Sequence, residues 1–327
     1  MDSDVCLGLN EEVMGKFRYK QVVGWAVILA IFLYLAKVAM ENWGEVKETG
    51  FSFDLIPLLL GTLIFTASYF IQIGAWFLIT RKLGIALPLL ETLESWLYSQ
   101  LGKYLPGKVW LLVGRFYFYE SKGKSKKAIS IALYFEAATI MMAAVLVFLA
   151  GVIFLQWTKP FHPGRASGWL ILPFVFILIS LHPWILEKMV NGILVRLKRE
   201  PISLFISYRD VLWILVICIL AWLVGGVGFY LFVSSFVPVS SNHVLFLTAS
   251  LAISSTLGLI ALFAPGGLGI REGVLVYLLS DLIPGSVAVI LSVVTRIWMT
   301  VIEIALIGVV YLIAQFRKRS REGTIDV

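Results

Sequence analysis

Long runs of apolar residues, separated by short polar segments, dominate the chain. Six of them come close to or exceed the roughly 20 residues that a helix needs to cross a bilayer core of about 30 Å. They lie at about 22–40, 55–80, 128–157, 169–186, 210–234 and 286–315. Two further apolar stretches, 87–120 and 243–283, are interrupted by proline and glycine. The pattern predicts an all-α, polytopic membrane protein with about six full spanning helices.

Basic residues indicate how these helices are oriented, because lysine and arginine collect in cytoplasmic loops. The segment before the first run is basic and the loop after it is acidic, which places the N-terminus in the cytoplasm. The loop 122–127, the segment 188–199 and the residues 317–319 are also basic. We therefore expect a multi-pass protein of the cell (inner or cytoplasmic) membrane with cytoplasmic tails at 1–20 and 316–327.

The interrupted stretches are predicted to be re-entrant helical hairpins. Basic residues flank 83–120 on both sides, so this stretch has to enter and leave the membrane from the cytoplasm, and 243–283 by the same logic begins and ends outside. Proline blocks helix continuation and glycine permits a reversal of the chain. Irregular backbone at membrane depth is tolerated only where protein or water surrounds it. The predicted turn residues are Pro106, Gly107, Pro265, Gly266, Gly267 and Gly269.

The order of helix, helix, hairpin and helix occurs twice within a single membrane domain that spans 1–327. The halves are about 22–157 and 169–315, and the first begins inside whereas the second begins outside. Such inverted repeats, with broken helices near the bilayer midplane, are typical of secondary transporters. We expect the turns at Pro106 and Pro265 to enter from opposite faces and to approach each other near the middle of the membrane.

Three of the ionisable residues within the long apolar runs are candidates for a functional role, because a charge at the bilayer centre costs roughly 2.5–3.5 kcal/mol on insertion scales. They are Glu136, Arg296 and Glu303. Arg296 and Glu303 share a helix face but are separated by about 10 Å along the axis, so they need partners on other elements. The repeat places Glu136 opposite the neighbour of Arg296. The alternative to a functional role is that these charges only hold helices together.

The hairpins contribute a second group of charges. Lys108 and Arg115 follow the first turn, and Arg271 and Glu272 follow the second. Half-helix N-termini favour anions, and arginine makes bidentate contacts with phosphate. Snorkelling to the interface is the alternative for Lys103 and Lys108. These residues indicate a site for a phosphate headgroup.

A division of roles within that site follows from its charges. Arg271 and Arg296 are predicted to hold the phosphate. Glu136, Glu272 and Glu303 are predicted to orient these arginines when no anion is bound, because buried arginines need counter-charges. The candidate substrate-binding residues are Lys108, Arg115, Glu136, Arg271, Glu272, Arg296 and Glu303.

The rest of the composition excludes other classes of protein. The net charge of +7 fits the positive-inside bias and attraction to anionic lipid, so nucleic acid is not expected as a partner. Two cysteines and three scattered histidines form no metal-binding motif, and no phosphate-binding Walker loop is present. No catalytic residue, metal or cofactor is therefore predicted, and transport would be passive or coupled to ions.

Two motifs carry a family resemblance. Gly102–Trp110 (GKYLPGKVW), with Arg115 downstream, resembles the first signature of the lysylphosphatidylglycerol synthase transmembrane-region family, also called the flippase-like domain. Pro265–Gly273 (PGGLGIREG) resembles its second signature, and Arg296 lies where relatives carry an arginine in the last helix. The likeness covers nearly the whole chain.

The resemblance implies the lipid-translocating part of that family without its soluble aminoacyl-transfer domain. The chain departs from the family at Ala137, because many relatives have arginine after the glutamate that matches Glu136. The expected function is transport of a phosphate-bearing lipid, such as a polyisoprenyl-phosphate sugar or an anionic phospholipid, between leaflets. The alternatives are a membrane-embedded transferase, or a non-transporting helper whose partners are cell-envelope or lipid-glycan enzymes.

Overall fold

The computed structural model describes residues 53–104, 109–158, 207–261, 267 and 269–322, together with residues 37, 187–188, 191–192 and 195–196. These residues form helices, turns and short connections, and no β-strand occurs among them. The predicted spanning runs 22–40 and 169–186 lie outside the described residues, apart from Lys37. The other predicted features outside them are Pro106, Gly107, Lys108, Pro265 and Gly266.

Eight helices make up the described part of the chain. They are α1 (Leu55–Lys82), α2 (Leu89–Gln100), α3 (Val109–Ser121), α4 (Lys126–Thr158), α5 (Tyr208–Ser234), α6 (Val244–Ile260), α7 (Ile270–Leu279) and α8 (Gly285–Glu322). Two 3-10 turns, Leu101–Tyr104 and Ser241–His243, extend α2 and precede α6.

Five of these helical segments are long and apolar enough to cross a membrane. Four of them, α1, α4, α5 and α8, coincide with predicted runs, which confirms the polytopic helical fold. The helix α8 continues to Glu322, so the predicted tail from 316 begins as helix. Large apolar side chains cover the outside of the long helices, as on Leu63, which is 67% exposed. The chain is a multi-pass membrane protein.

The fifth segment, Ser241–Ile260, corrects one expectation. It was predicted to be half of a re-entrant hairpin, but with its leading 3-10 turn it has 20 residues, enough for a full span. The proline and most of the glycines that interrupt this stretch come after Ala261, so they do not shorten α6. The helices α2, α3 and α7 have 12, 13 and 10 residues, or about 15–20 Å, which suits the arms of re-entrant hairpins.

The helices α1 and α5 form an antiparallel pair at the centre of the fold. The backbone N–H of Asp54 donates to the carbonyl of Ser235 at one end (2.8 Å), and Lys82 pairs with Asp210 at the other (2.9 Å). The two backbones approach closely because a glycine stands at the contact. A Cβ on Gly228 would lie only 2.8 Å from the carbonyl oxygen of Gly61.

The helix α8 runs in the same direction as α1. The indole N–H of Trp298 donates to Thr62 (2.8 Å), and the hydroxyl of Tyr69 donates to Glu303 (2.5 Å). Residue numbers therefore rise together along both helices. The predicted topology requires α1 and α8 to be parallel, since both were expected to cross the membrane from the outside to the cytoplasm.

The helix α6 is antiparallel to both α4 and α5. Gly151 of α4 lies against Ala249, whereas Val147 clusters with Ala252, so one residue number rises as the other falls. A short connection after α5 reverses the chain, so α6 packs against α5 in the opposite direction. Because α6 is antiparallel to both helices, α4 and α5 run in the same direction. The four long helices thus have the relative directions predicted from the charged loops.

The helix pairs α2–α3 and α6–α7 begin at opposite ends of the α1–α5 pair. A connection of six residues leads from α1 to α2 at the Lys82 end, where Glu91 pairs with Lys122 beyond α3 (3.2 Å). The helix α6 starts near Ser235 at the other end. In each half, α1–α4 and α5–α8, such a pair stands between two long helices, and of its members only α6 is long enough to span. An inverted repeat requires this order.

Candidate functional site

The charged interior residues of α4 and α8 lie between about one third and one half of the way along these helices. Tyr69, the residue that bonds Glu303, is close to the midpoint of α1 (Leu55–Lys82). A span of this length centres its middle residues in the bilayer, where an ion without a partner is most costly. The charges form two groups, which we call the Arg115 cage and the central cluster.

The Arg115 cage joins four helices. Arg115 of α3 forms an ion pair with Glu136 of α4, and its Nε and Nη2 donate to the Ser99 hydroxyl of α2 (3.2 and 3.1 Å). The guanidinium lies over Trp76 of α1, 4.5 Å from the ring centroid. The indole N–H of Trp96 donates to the second oxygen of Glu136 (2.8 Å). The Arg115 side chain is only 1% exposed, so this pair is closed and satisfied.

The cage bears on two sequence-based expectations. Glu136 was predicted to orient Arg271 and Arg296, but it pairs with Arg115 because the tight connection after α3 brings α3 and α4 side by side. Arg115 was predicted to bind substrate; three of its five N–H groups bond Glu136 and Ser99 and its side chain is enclosed, and substrate binding by it stays a prediction. Glu136 thus has an ion partner although residue 137 is alanine.

The central cluster consists of Lys103, Arg271, Glu272, Arg296 and Glu303. It gathers residues from the turn after α2, from the start of α7 and from the middle of α8. Both halves of the chain therefore contribute to it.

Glu272 connects α7 to α8. One carboxylate oxygen accepts from Arg296 Nη1 (2.6 Å), and the other accepts from the backbone N–H of Gly269 (2.7 Å). The Glu272 carboxylate thus caps the N-terminus of α7. It already accepts from the backbone N–H at the helix start that was predicted to attract an anion. The side chain of Glu272 is 4% exposed. Of the three predicted glutamate partners of the arginines, Glu272 is placed as expected toward Arg296.

The glycines of the second motif allow the turn to pack against α6. Gly267 and Gly269 have positive φ angles of 72° and 85°, which L-residues with side chains rarely adopt. A Cβ on Gly267 would lie 2.5 Å from the carbonyl of Gly258, and a Cβ on Gly258 would lie 2.8 Å from the Cβ of Arg271. This close approach fixes where Arg271 leaves the backbone.

Glu303 accepts from two groups on other elements. They are Lys103, in the turn of the first half, and the hydroxyl of Tyr69 in α1 (2.5 Å). Glu303 was expected to orient Arg271 and Arg296; the 3-10 turn after α2 places Lys103 beside it as an ion partner, and the role toward the arginines stays a prediction. Lys103 does not extend to the interface, which was the alternative considered for it.

Arg271 is the cation of the central cluster that forms no ion pair with a described carboxylate, although Glu272 and Glu303 attract it from a greater distance. Its Nη2 lies against the sulfur of Met299, and no described carboxylate comes within 4.0 Å of it. Counted over these described side chains, the cluster holds three cations against two carboxylates, a net charge of +1.

The two groups are linked through an aromatic contact. The rings of Tyr69 and Trp96 meet edge to face with centroids 5.9 Å apart. Tyr69 bonds Glu303 of the central cluster, whereas Trp96 bonds Glu136 of the Arg115 cage. The polar interior is thus one connected network across both halves.

The halves carry matching ion pairs of opposite polarity. In the first half the arginine is on the short helix α3 and the glutamate, Glu136, is on the long helix α4. In the second half the glutamate is on the short helix α7 and the arginine, Arg296, is on the long helix α8. The repeat predicted that Glu136 and Arg296 stand in comparable places, and both lie about one third of the way along their helices.

Several residues of the site were not identified from the sequence. Trp76, Trp96 and Tyr69 bond or cover the charges, and Lys103 was treated only as a candidate for the interface. In the sequence, what they share is a side chain that ends in a polar group and lies within an apolar stretch. Among the described residues no group of three or more histidines, cysteines or carboxylates could hold a metal ion.

Comparison with known proteins agrees with the two motifs. The family model described as "Lysylphosphatidylglycerol synthase TM region" matches residues 21–308, which include all the described helices except the end of α8. The resemblance carried by the motifs is thereby confirmed. No protein with a curated description matches the sequence.

Proposed function

Since the chain belongs to the lysylphosphatidylglycerol synthase transmembrane-region family, we propose that it carries a phosphate-bearing lipid between the leaflets of the membrane. The family makes it a membrane protein connected with lipid, and the charges of the interior support transport. The headgroup would pass through the polar network while the acyl or isoprenyl tails stay in the bilayer. Candidate lipids are anionic phospholipids and polyisoprenyl-phosphate sugars.

The observation that carries the proposal is the surplus charge on Arg271. A guanidinium that only serves to hold helices together would be expected to face a carboxylate, as Arg115 and Arg296 do. Arg271 lies beside Met299 instead, directly after a glycine-rich turn. Its planar fork suits two oxygens of a phosphate, and the partly buried position strengthens that attraction relative to water.

Neighbouring ion pairs give the site a way to release its cargo. Arg296 and Lys103 are held by Glu272 and Glu303 in the empty protein. A phosphate at Arg271 competes with these carboxylates for the two cations. Binding is then an exchange of partners, which keeps the net affinity moderate, as a carrier that must also release its lipid requires.

Vesicles that contain the purified protein test the proposal. Fluorescent phosphatidylglycerol, and fluorescent glucosylceramide as a lipid without phosphate, are quenched from the outside with a reagent that does not cross the membrane. We expect the protein to increase the rate at which inner-leaflet phosphatidylglycerol becomes quenched, by at least tenfold over empty vesicles, and to leave glucosylceramide unchanged. Equal rates with and without the protein would refute transport, and equal acceleration of both lipids would refute phosphate recognition.

A further inference from the structure

The three glutamates of the interior differ in the chemistry of their partners. Glu136 accepts from a guanidinium and from the indole N–H of Trp96, and Glu272 accepts from a guanidinium and from the backbone N–H of Gly269. All four of these partners can only donate hydrogen bonds. None of them offers an acceptor to the O–H of a protonated carboxyl.

The partners of Glu303 permit a second state. The hydroxyl of Tyr69 can rotate and accept a hydrogen bond from a carboxylic acid as readily as it donates to a carboxylate. The ammonium of Lys103 is carried on a flexible stem and is 27% exposed, so it can move to another anion. Glu303 itself is 3% exposed and lies about halfway along α8.

We infer that the protein takes up one proton on Glu303 when a lipid phosphate binds beside Arg271, so that the anion and the proton travel together. The inference rests on the proposed function. A phosphate oxygen replaces the Glu303 carboxylate as the acceptor of the Lys103 ammonium, and that ion pair breaks. A buffer acid in the solvent then gives up a proton and becomes its conjugate base, the proton forms an O–H bond on Glu303, and Tyr69 accepts the resulting hydrogen bond.

The charges around Glu303 favour this exchange. The described titratable groups of the elements around Glu303 are Tyr69 on α1, Lys103 in the turn after α2, Arg271 and Glu272 on α7, and Arg296 on α8. In the empty site the three cations attract the negative charge of the Glu303 carboxylate. A bound phosphate neutralises part of that positive charge and repels the carboxylate, which favours its protonated form.

Electroneutrality is the consequence for transport. A phosphodiester headgroup brings one negative charge and the proton brings one positive charge, so the central cluster keeps its net charge of +1 among the described residues. The lipid anion and the proton together carry no net charge, so their joint transfer across the membrane would do no work against the membrane potential.

Calorimetry of lipid binding tests the inference without a transport measurement. Short-chain phosphatidylglycerol is titrated into the detergent-solubilised protein at pH 7 in buffers that differ in ionisation enthalpy. The slope of the binding enthalpy against the buffer enthalpy gives the number of protons taken up, which linkage predicts to be about one per lipid for the wild type. We expect Glu303→Gln to bind the lipid with almost no proton uptake. The matched control is Glu120→Gln, which removes a carboxylate from a surface pair with Lys126 and should behave as the wild type.

The outcomes distinguish this inference from the function on which it rests. Lipid binding without proton uptake in the wild type, or uptake that persists in Glu303→Gln, overturns the inference and leaves the proposed function standing. No binding of phosphatidylglycerol by the wild type overturns both. If Glu303→Gln does not fold, lipid binding without proton uptake in the wild type still overturns the inference.

Discussion

Lys103 and Glu303, 200 residues apart in the sequence, form an ion pair that joins the turn of the first half to the last helix of the second. Because Glu303 is 3% exposed, removal of either partner leaves a charge in a poorly solvated place. The pair is thus a point at which the two halves of the molecule depend on each other.

A double-mutant cycle should reveal that dependence. We expect Lys103→Gln to lower the free energy of unfolding by about 2–4 kcal/mol, since it leaves the buried carboxylate unpaired. The double variant Lys103→Gln with Glu303→Gln should recover part of that loss, with a coupling energy of about 1–2 kcal/mol. Denaturation in detergent measures both quantities. Additive losses would show that the two side chains are not energetically coupled.

The Arg115 cage should behave as a structural element. Arg115→Ala removes the partner of a partly enclosed carboxylate and empties a space between aromatic rings, so we expect a loss of about 3–5 kcal/mol of stability. Arg115→Lys keeps the charge but loses the two bonds to Ser99, so its loss should be smaller. Thermal unfolding in one detergent compares them with Arg209→Ala, which removes an exposed arginine of α5. A loss no larger than that of the control would contradict a structural role.

The contact between α1 and α5 depends on a glycine. Gly228→Ala places a methyl group 2.7 Å from the backbone nitrogen of Phe65, so the helices must separate, and we expect a loss of about 1–3 kcal/mol. Gly74→Ala in α1 is the matched control, since no atom lies within 4 Å of its added methyl group. That substitution should be neutral or slightly stabilising. Equal effects on the melting temperature would show that the close contact is absent in the folded protein.

Single cysteines test the predicted sidedness of the short-helix pairs. In a background without Cys6 and Cys218, cysteines at Arg81 and Ser125 should react with a membrane-impermeant maleimide from the same side, and a cysteine at Asn242 from the other. The reason is that Lys82 and Asn242 belong to opposite ends of the α1–α5 pair. If residues 81 and 125 prove accessible from opposite sides, the segment between them crosses the membrane and the inverted repeat is excluded.

Apolar runs predicted the long helices well because the bilayer imposes both length and composition on a spanning helix. The length of α6 was missed because the whole stretch 243–283 was treated as interrupted, although its breakers follow Ala261. The relative directions of the helices followed from the basic loops, since each short connection reverses the chain.

Pairing among the buried charges was less predictable. The Arg115–Glu136 pair could have been found from hairpin geometry. Measured along their helices, the two residues lie about 9 and 15 Å from the connection between α3 and α4, so an arginine side chain can bridge the difference. The bonds from Lys103 and Tyr69 to Glu303 span 200 and 234 residues and depend on how the halves pack. No local pattern specifies such contacts.

The central claim is that Arg271 binds the lipid phosphate, and translocation by three variants tests it most directly. Wild type, Arg271→Lys, Arg271→Ala and the control Arg209→Ala are reconstituted at equal density, and the translocation of fluorescent phosphatidylglycerol is measured beside thermal stability. Because a point charge cannot replace a planar fork, we expect Arg271→Lys to reduce the rate about tenfold and Arg271→Ala to reduce it further. Both should melt within a few degrees of the wild type, since no described carboxylate loses its partner. Wild-type rates in both Arg271 variants, or a loss of transport that only follows a loss of stability, would contradict the account.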